Sequence, residues 1–289
     1  MTSLIHLGYS KCASSTLQRI FSENDSIIYI DKPELFDGDC KSHNLSVKWM
    51  KQAKKKEGGK PVVVSHEHML LSNIDPVLGI SIGGQKEAKD LKKKLDQVFE
   101  QYNILLIVRE QSKLIFSRYH QYIMQGGVVS LSKFLEIIIP TDNPFKYLDY
   151  RFNKILDILH NKENTVICSD VKKINDKKFI ASLNDLLGSD MQIGSKKLNS
   201  SVSKYGLSLI RMINIVLVKR KETYSKKAVV RGSYFVWFLL VSTIRKLDSF
   251  YIRIFGRNSL MDIPAEIKIK NLYAADNAKL LEQYNIDLS

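Results

Sequence analysis

Cysteine, proline and tryptophan are scarce in this chain, and acidic side chains are outnumbered. The three cysteines, Cys12, Cys40 and Cys168, fit no zinc or disulfide spacing, which points to a reducing compartment. Six prolines and 14 glycines in 289 residues leave no low-complexity linker, and there is no internal repeat. Apolar runs long enough to cross a bilayer are missing: Tyr234 to Ile244 is uncharged for 11 residues, against the about 20 that a spanning helix needs. No nucleic-acid-binding motif is recognisable, and the basic runs hold few aromatics until the last of them. What is there is ordinary for a folded chain, 44% hydrophobic and 26% charged, enough for one large core with an insertion. The first strand begins near residue 4, so the expectation is a protein without a cleaved signal or N-terminal membrane anchor, working in the cytoplasm.

The most informative stretch is Leu4 to Gln18. A short apolar strand breaks at Gly8, passes Lys11 and the hydroxyls of Ser14, Ser15 and Thr16, and enters a helical run from Leu17 to Phe21. Such a turn binds phosphate, because the first N–H groups of the helix are unpaired and its dipole favours an anion. Nucleoside-triphosphate loops need Gly-Lys-Ser/Thr after a Gly-x4 spacer. Here Ala13, Ser14 and Ser15 stand in those slots and the lysine comes early, so the magnesium-holding hydroxyl is missing from its usual place.

Two further strand ends carry polar groups. Ile104 to Val108 reads as a buried strand that ends at Arg109, followed by a helix that Ser112 is expected to cap and that holds Ser117. Val62 to Val64 is a β-branched strand ending in Ser65-His66-Glu67-His68. In doubly wound sheets the ligand lies outside the carboxyl ends of the strands. His66 and His68 share a face in an extended strand, so a metal pair is one reading of them and a structural role is another.

Together these segments resemble the sulfotransferases that use 3′-phosphoadenylyl sulfate (PAPS). Tyr9-Ser-Lys-Cys-Ala-Ser-Ser-Thr-Leu17 is similar to their 5′-phosphosulfate loop, roughly Tyr-Pro-Lys-Ser-Gly-Thr-Thr-x-Leu, with Ser10, Cys12 and Ala13 replacing Pro, Ser and Gly. Arg109 followed eight residues later by Ser117 resembles their 3′-phosphate site. The resemblance implies that Lys11, Cys12, Ala13, Ser14, Ser15 and Thr16 hold the 5′ end of the cofactor, and Arg109 and Ser117 the other. It implies Glu67 as the catalytic base, with His66 as the alternative, and Lys11 stabilising the leaving oxygen. PAPS would be the donor, adenosine 3′,5′-bisphosphate the product, and no metal would be required. Weaker likenesses lie in Asn164 to Asp170, Lys197 to Ser203 and the closing helical run from Tyr273 to Leu288. The run Ser65-x-Glu67-x-hydrophobic resembles the bacterial and carbohydrate-acting branches, and the last two of these segments resemble bacterial members.

The net charge of +14 is concentrated. Lys48 to Lys60 carries +5, Lys86 to Lys94 +3, and Lys219 to Arg257 +8, which leaves the remainder slightly acidic. Such patches recruit anions; a solvated lysine face is the plainer reading of the first two, and an anionic polysaccharide or glycolipid the functional one. Within residues 204–256, Trp237, Leu240, Val241, Ile244, Leu247, Tyr251 and Ile254 form one apolar stripe on a helix, with Ser242, Lys246, Ser249 and Arg253 opposite. The stripe suits either an anionic membrane interface or packing on the core or a second subunit.

These readings predict an α/β protein with a P-loop-like central parallel sheet flanked by helices. Its strands are expected at 3–8, 27–30, 62–65, 104–108 and 165–168, and its helices at 12–22, 86–100, 112–125, 131–139 and 146–160. Residues 1–203 would form the nucleotide-binding core, 204–256 a helical insertion and 257–289 the closing segment of the core. The expected activity is sulfuryl transfer to a hydroxyl of a carbohydrate or glycolipid acceptor, with no nucleic-acid partner. The rivals are a P-loop small-molecule kinase and a non-catalytic anion- or membrane-binding protein on the same fold.

Overall fold

The computed structural model describes residues 3–9, 12, 14–30, 59–66, 69–70, 73–74, 81–160, 164–191, 202–217, 231–255 and 263–288, with single positions at 51 and 55. Five strands form one parallel sheet: β1 (Ser3–Gly8), β2 (Ile28–Ile30), β3 (Val62–His66), β6 (Tyr102–Val108) and β7 (Val166–Asp170), in the order β2-β3-β1-β6-β7. Two short strands, β4 (Asn73–Ile74) and β5 (Ser81–Ile82), pair antiparallel beside it. Every residue of β1, β3 and β6 is buried, as expected of central parallel strands covered on both faces. The edge strands β2 and β7 are only partly buried.

Nine α-helices occur among the described residues: α1 (Ser14–Ser22), α2 (Gln85–Asp96), α3 (Gln111–Met124), α4 (Leu131–Ile138), α5 (Phe152–Leu159), α6 (Lys177–Leu187), α7 (Lys204–Leu217), α8 (Arg231–Phe255) and α9 (Ile263–Tyr284). The parallel α/β sheet matches the expectation, and the strand limits differ from it by one or two residues. Helix α3 is a correction in detail. Its N-cap is Glu110, and Ser112 lies inside the first turn, where its hydroxyl donates to the Glu110 carboxylate. Helix α6 was not foreseen, although it is bounded by ordinary signals: Asp176 Oδ1 accepts from Lys178 N at 2.9 Å, and Gly188 closes it in the left-handed conformation.

Helix α9 packs on α3 and α5. Gln111 and Asn277 exchange side-chain hydrogen bonds at 2.7 and 3.1 Å, and the Tyr273 hydroxyl donates to the Leu148 carbonyl at 3.0 Å. The segment before α5 is held from its other end by Arg151, which donates to both oxygens of Asp149 at 2.7 Å. Gln85 at the start of α2 donates to the same carboxylate at 2.8 Å.

Helices α7 and α8 pack on each other, and α7 packs on α3. Asn214 is the joint. Its amide donates to the carbonyls of Ile123 and Gly127, both at 2.8 Å, and its Oδ1 accepts from the Trp237 indole at 2.7 Å. A second tie joins Asp248 to the Ser203 N–H at 2.7 Å and to its hydroxyl. Gly206 is needed beside it, because a Cβ there would stand 2.5 Å from Asp248 Oδ1. Substituting Asn214→Ala removes three hydrogen bonds, to the Ile123 and Gly127 carbonyls and the Trp237 indole, from a fully buried position. Urea unfolding should show a loss of about 2–4 kcal/mol.

Candidate active site

The sheet order determines where a ligand can sit. From β1 the chain moves to the β2–β3 side, and from β6 it moves to β7 on the other side. Right-handed crossovers in opposite directions place the connecting helices on opposite faces, which opens a crevice outside the carboxyl ends of β1 and β6. The registers bring the polar strand ends to this one edge. Leu7 pairs with His66, Gly8 with Ile107, and Val108 with Asp170.

At the end of β1 the chain turns tightly: Cys12 N donates to the Tyr9 carbonyl at 3.0 Å, and α1 begins at Ser14. Tyr9 and Cys12 are buried. The Tyr9 ring stands edge-on to Tyr150 at 4.9 Å and against Phe152 at 5.6 Å, so the turn is seated on the segment that Arg151 and α9 hold. Ser14 is buried, and its Oγ has no hydrogen-bond partner among the described residues. A Cβ on Gly8 would lie 2.5 Å from that oxygen, so only glycine lets the strand end approach the helix start this closely. Ser15 is exposed and Thr16 half-buried. A buried hydroxyl without a partner at a helix N-terminus fits a phosphate, whose oxygens would satisfy it. Lys11 and Ala13, the other loop residues expected to bind the cofactor, lie outside the described residues.

His6, beneath this turn, is fully buried; its Nδ1 lies 2.7 Å from Ser65 Oγ on β3, and its Nε2 has no partner among the described residues. Burial lowers its pKa to about 3, so the ring is neutral near pH 7. His66 is buried at the end of β3, while Glu67 and His68 fall outside the described residues. Among the described residues no three His, Cys, Asp or Glu side chains are grouped to hold a metal ion.

Arg109 is half-buried at the exit of β6, and Ser117 is half-buried two turns into α3. Between them Glu110 is buried and bonded to Ser112 and, at 2.6 Å, to Lys113 Nζ. The structure thus sets Cys12, Ser14, Ser15, Thr16, His66, Arg109 and Ser117 on elements that meet at one edge. Arg118, on the same helix as Ser117, is a buried cation that sequence reasoning missed. That charge bears on Tyr150, whose pKa burial raises to about 12 against the pull of the guanidinium. Its position among Leu114, Ile115, Tyr119 and Tyr122 places a cation on an apolar helix face, which was the available signal.

The other lysine-rich feature lies elsewhere. Lys89, Lys92 and Lys93 line a surface cleft with Asp96 near the end of α2. That end leads into the start of β6, at the sheet edge opposite the crevice.

No protein-family model matches the chain, and no curated protein matches it. Among solved structures, it is similar to a sulfotransferase from Alicyclobacillus acidocaldarius, at 14% identity and a TM-score of 0.45, covering 75% of this chain and 93% of that one. It is also similar to mouse sulfotransferase SULT7A1 complexed with PAP, at 12% identity and a TM-score of 0.40, covering 93% of this chain and 88% of that one.

Proposed function

We propose that the chain is a PAPS-dependent sulfotransferase acting on a hydroxyl of a carbohydrate, either a polysaccharide or a glycolipid. The observation that carries this reading is the pairing of two anion-binding features on adjacent strands. The Gly8–Ser14 turn, with its unpartnered buried hydroxyl, follows β1, and Arg109 with Ser117 follows β6. Two such sites at one switch point suit a nucleotide phosphorylated at both ends.

In this reading Ser14, Thr16 and the first N–H groups of α1 hold the 5′-phosphosulfate with Lys11, and Arg109 and Ser117 hold the 3′-phosphate. The cofactor supplies an activated sulfuryl group. Glu67 takes the proton of the acceptor hydroxyl as its oxygen bonds to sulfur and the bond from sulfur to the phosphate oxygen breaks. Lys11 and the loop N–H groups offset the charge that develops on that leaving oxygen. The functional division is a core of residues 1–203 closed by 257–289, with the insertion at 204–256. Peripheral contact of that insertion with the inner face of a membrane would suit a lipid-linked acceptor.

Thermal unfolding tests the reading. Adenosine 3′,5′-bisphosphate should raise the midpoint where AMP, or ATP with magnesium, does not, because a ligand bound only to the native state stabilises it by mass action. Arg109→Ala should weaken that binding by about 10- to 100-fold through loss of a charged donor pair. A rise with ATP and magnesium alone would indicate a kinase, and no rise with either a non-catalytic protein.

A further inference from the structure

The hairpin of α7 and α8 carries an apolar surface that the described fold does not cover. On α7 the core-facing residues are Gly206, Leu207, Ile210 and Asn214. At 100° per residue the opposite face carries Tyr205, Leu209, Met212 and Val216, and these are 47–79% exposed. On α8 the stripe expected from the sequence is divided by the fold. Val241 and Ile244 are buried and Trp237 is half-buried, so that part is used in packing. A second arc, Val236, Leu239, Leu240, Leu247 and Phe250, remains 41–65% exposed. Tyr205 meets Tyr251 edge to face at 6.0 Å, which joins the outer surfaces of the two helices. Single exposed apolar residues are ordinary, but aligned arcs on two packed helices mark an interaction surface.

Charge selects the occupant. The sequence connecting the helices contains Lys219, Arg220, Lys221, Lys226 and Lys227, and exposed Lys246 borders the arc on α8. An interface between two copies of this hairpin would bring two strongly cationic sequences together. An anionic lipid surface meets both needs, since acyl chains cover the arcs and headgroup phosphates neutralise the cations. Neither helix, over its described residues, is long and apolar enough to cross a membrane, so the hairpin would lie on it.

We infer that the outward face of the α7–α8 hairpin docks in the headgroup region of an anionic bilayer. The inference rests on the membrane contact of residues 204–256 in the reading above and is independent of the chemistry assigned to Glu67. Co-sedimentation of the full chain with phosphatidylcholine vesicles, with and without phosphatidylglycerol, tests it. Binding should require phosphatidylglycerol and fall about ten-fold or more in Leu247→Ser/Phe250→Ser. Both side chains are about two-thirds exposed, at 64% and 65%, so the variant should keep the wild-type unfolding midpoint and its response to adenosine 3′,5′-bisphosphate. Absence of vesicle binding, or binding that the double variant leaves unchanged, overturns the inference. A dimer in solution that the variant dissolves also overturns it, and assigns the face to a second copy. Either outcome leaves the bisphosphate response, and with it the catalytic reading, to stand or fall separately.

Discussion

Glu67→Gln should lower sulfuryl transfer by about 100- to 10,000-fold, the range for losing a positioned general base, while leaving the affinity for adenosine 3′,5′-bisphosphate unchanged. The substitution keeps the size and polarity of the side chain and removes only its capacity to take a proton. Glu67 directly follows His66, which pairs with Leu7 at the end of β1, one residue before the turn that leads to Ser14. In the proposed reading a base next to His66 would act at the 5′ end of the cofactor, away from the 3′-phosphate assigned to Arg109 and Ser117. Release of adenosine 3′,5′-bisphosphate from PAPS gives the rate, and a calorimetric titration with the bisphosphate gives the affinity. Loss of both together would make Glu67 a binding or structural residue. Unchanged turnover would move the base to His66, although that ring is buried as the last residue of its strand.

Acid should destabilise the protein well before its ordinary carboxylates titrate, and His6 is the reason. Its pKa falls from 6.5 to about 3 on burial, because a charged ring in the middle of the sheet has no water around it. The unfolded chain therefore binds a proton that the folded chain refuses. Stability on this account is fully present above pH 6.5 and falls by about 1.4 kcal/mol per unit as pH drops toward 3, or about 2 kcal/mol by pH 5. Asp276 works in the opposite direction. Burial raises its carboxyl to about 6, so its protonation between pH 6 and its unfolded value favours the folded state. Urea midpoints of wild type and His6→Gln, compared from pH 7 to pH 5, isolate the histidine. The wild type should lose stability more steeply. Parallel curves would mean that His6 is charged in the native state.

Much of this architecture is legible in the chain because it depends on local patterns. Ile104 to Val108 and Val62 to Val64 are continuous apolar runs, and a strand buried on both faces has no other composition available. Gly8 followed by small polar residues and a helical period marks a strand-turn-helix unit, a candidate phosphate site, without reference to neighbours. Arg109 and Ser117 are read from one segment for the same reason. By itself the sequence determined the five strands of the parallel sheet, the helices after β1, β3 and β6 and the candidate phosphate-binding groups, but not β4, β5 or α6.

The tertiary structure decided what depends on which segments meet. The order β2-β3-β1-β6-β7 makes β1 and β6 neighbours, although residues 9–101 lie between Gly8 and Tyr102, and only that adjacency brings the two candidate phosphate sites to one crevice. Ser112 follows the usual preference for a helix cap, yet Glu110 takes the position, two residues earlier, and accepts the serine's hydrogen bond. Arg118 and His6 gained their character from burial, which no local pattern encodes. The stripe on α8 is the clearest case. Hydrophobic periodicity shows that a face is apolar and cannot say what covers it, since a core, a second chain and a lipid surface all satisfy the same residues. Packing against α7 and the hydrogen bond from Trp237 to Asn214 used one side of that helix and left the other exposed.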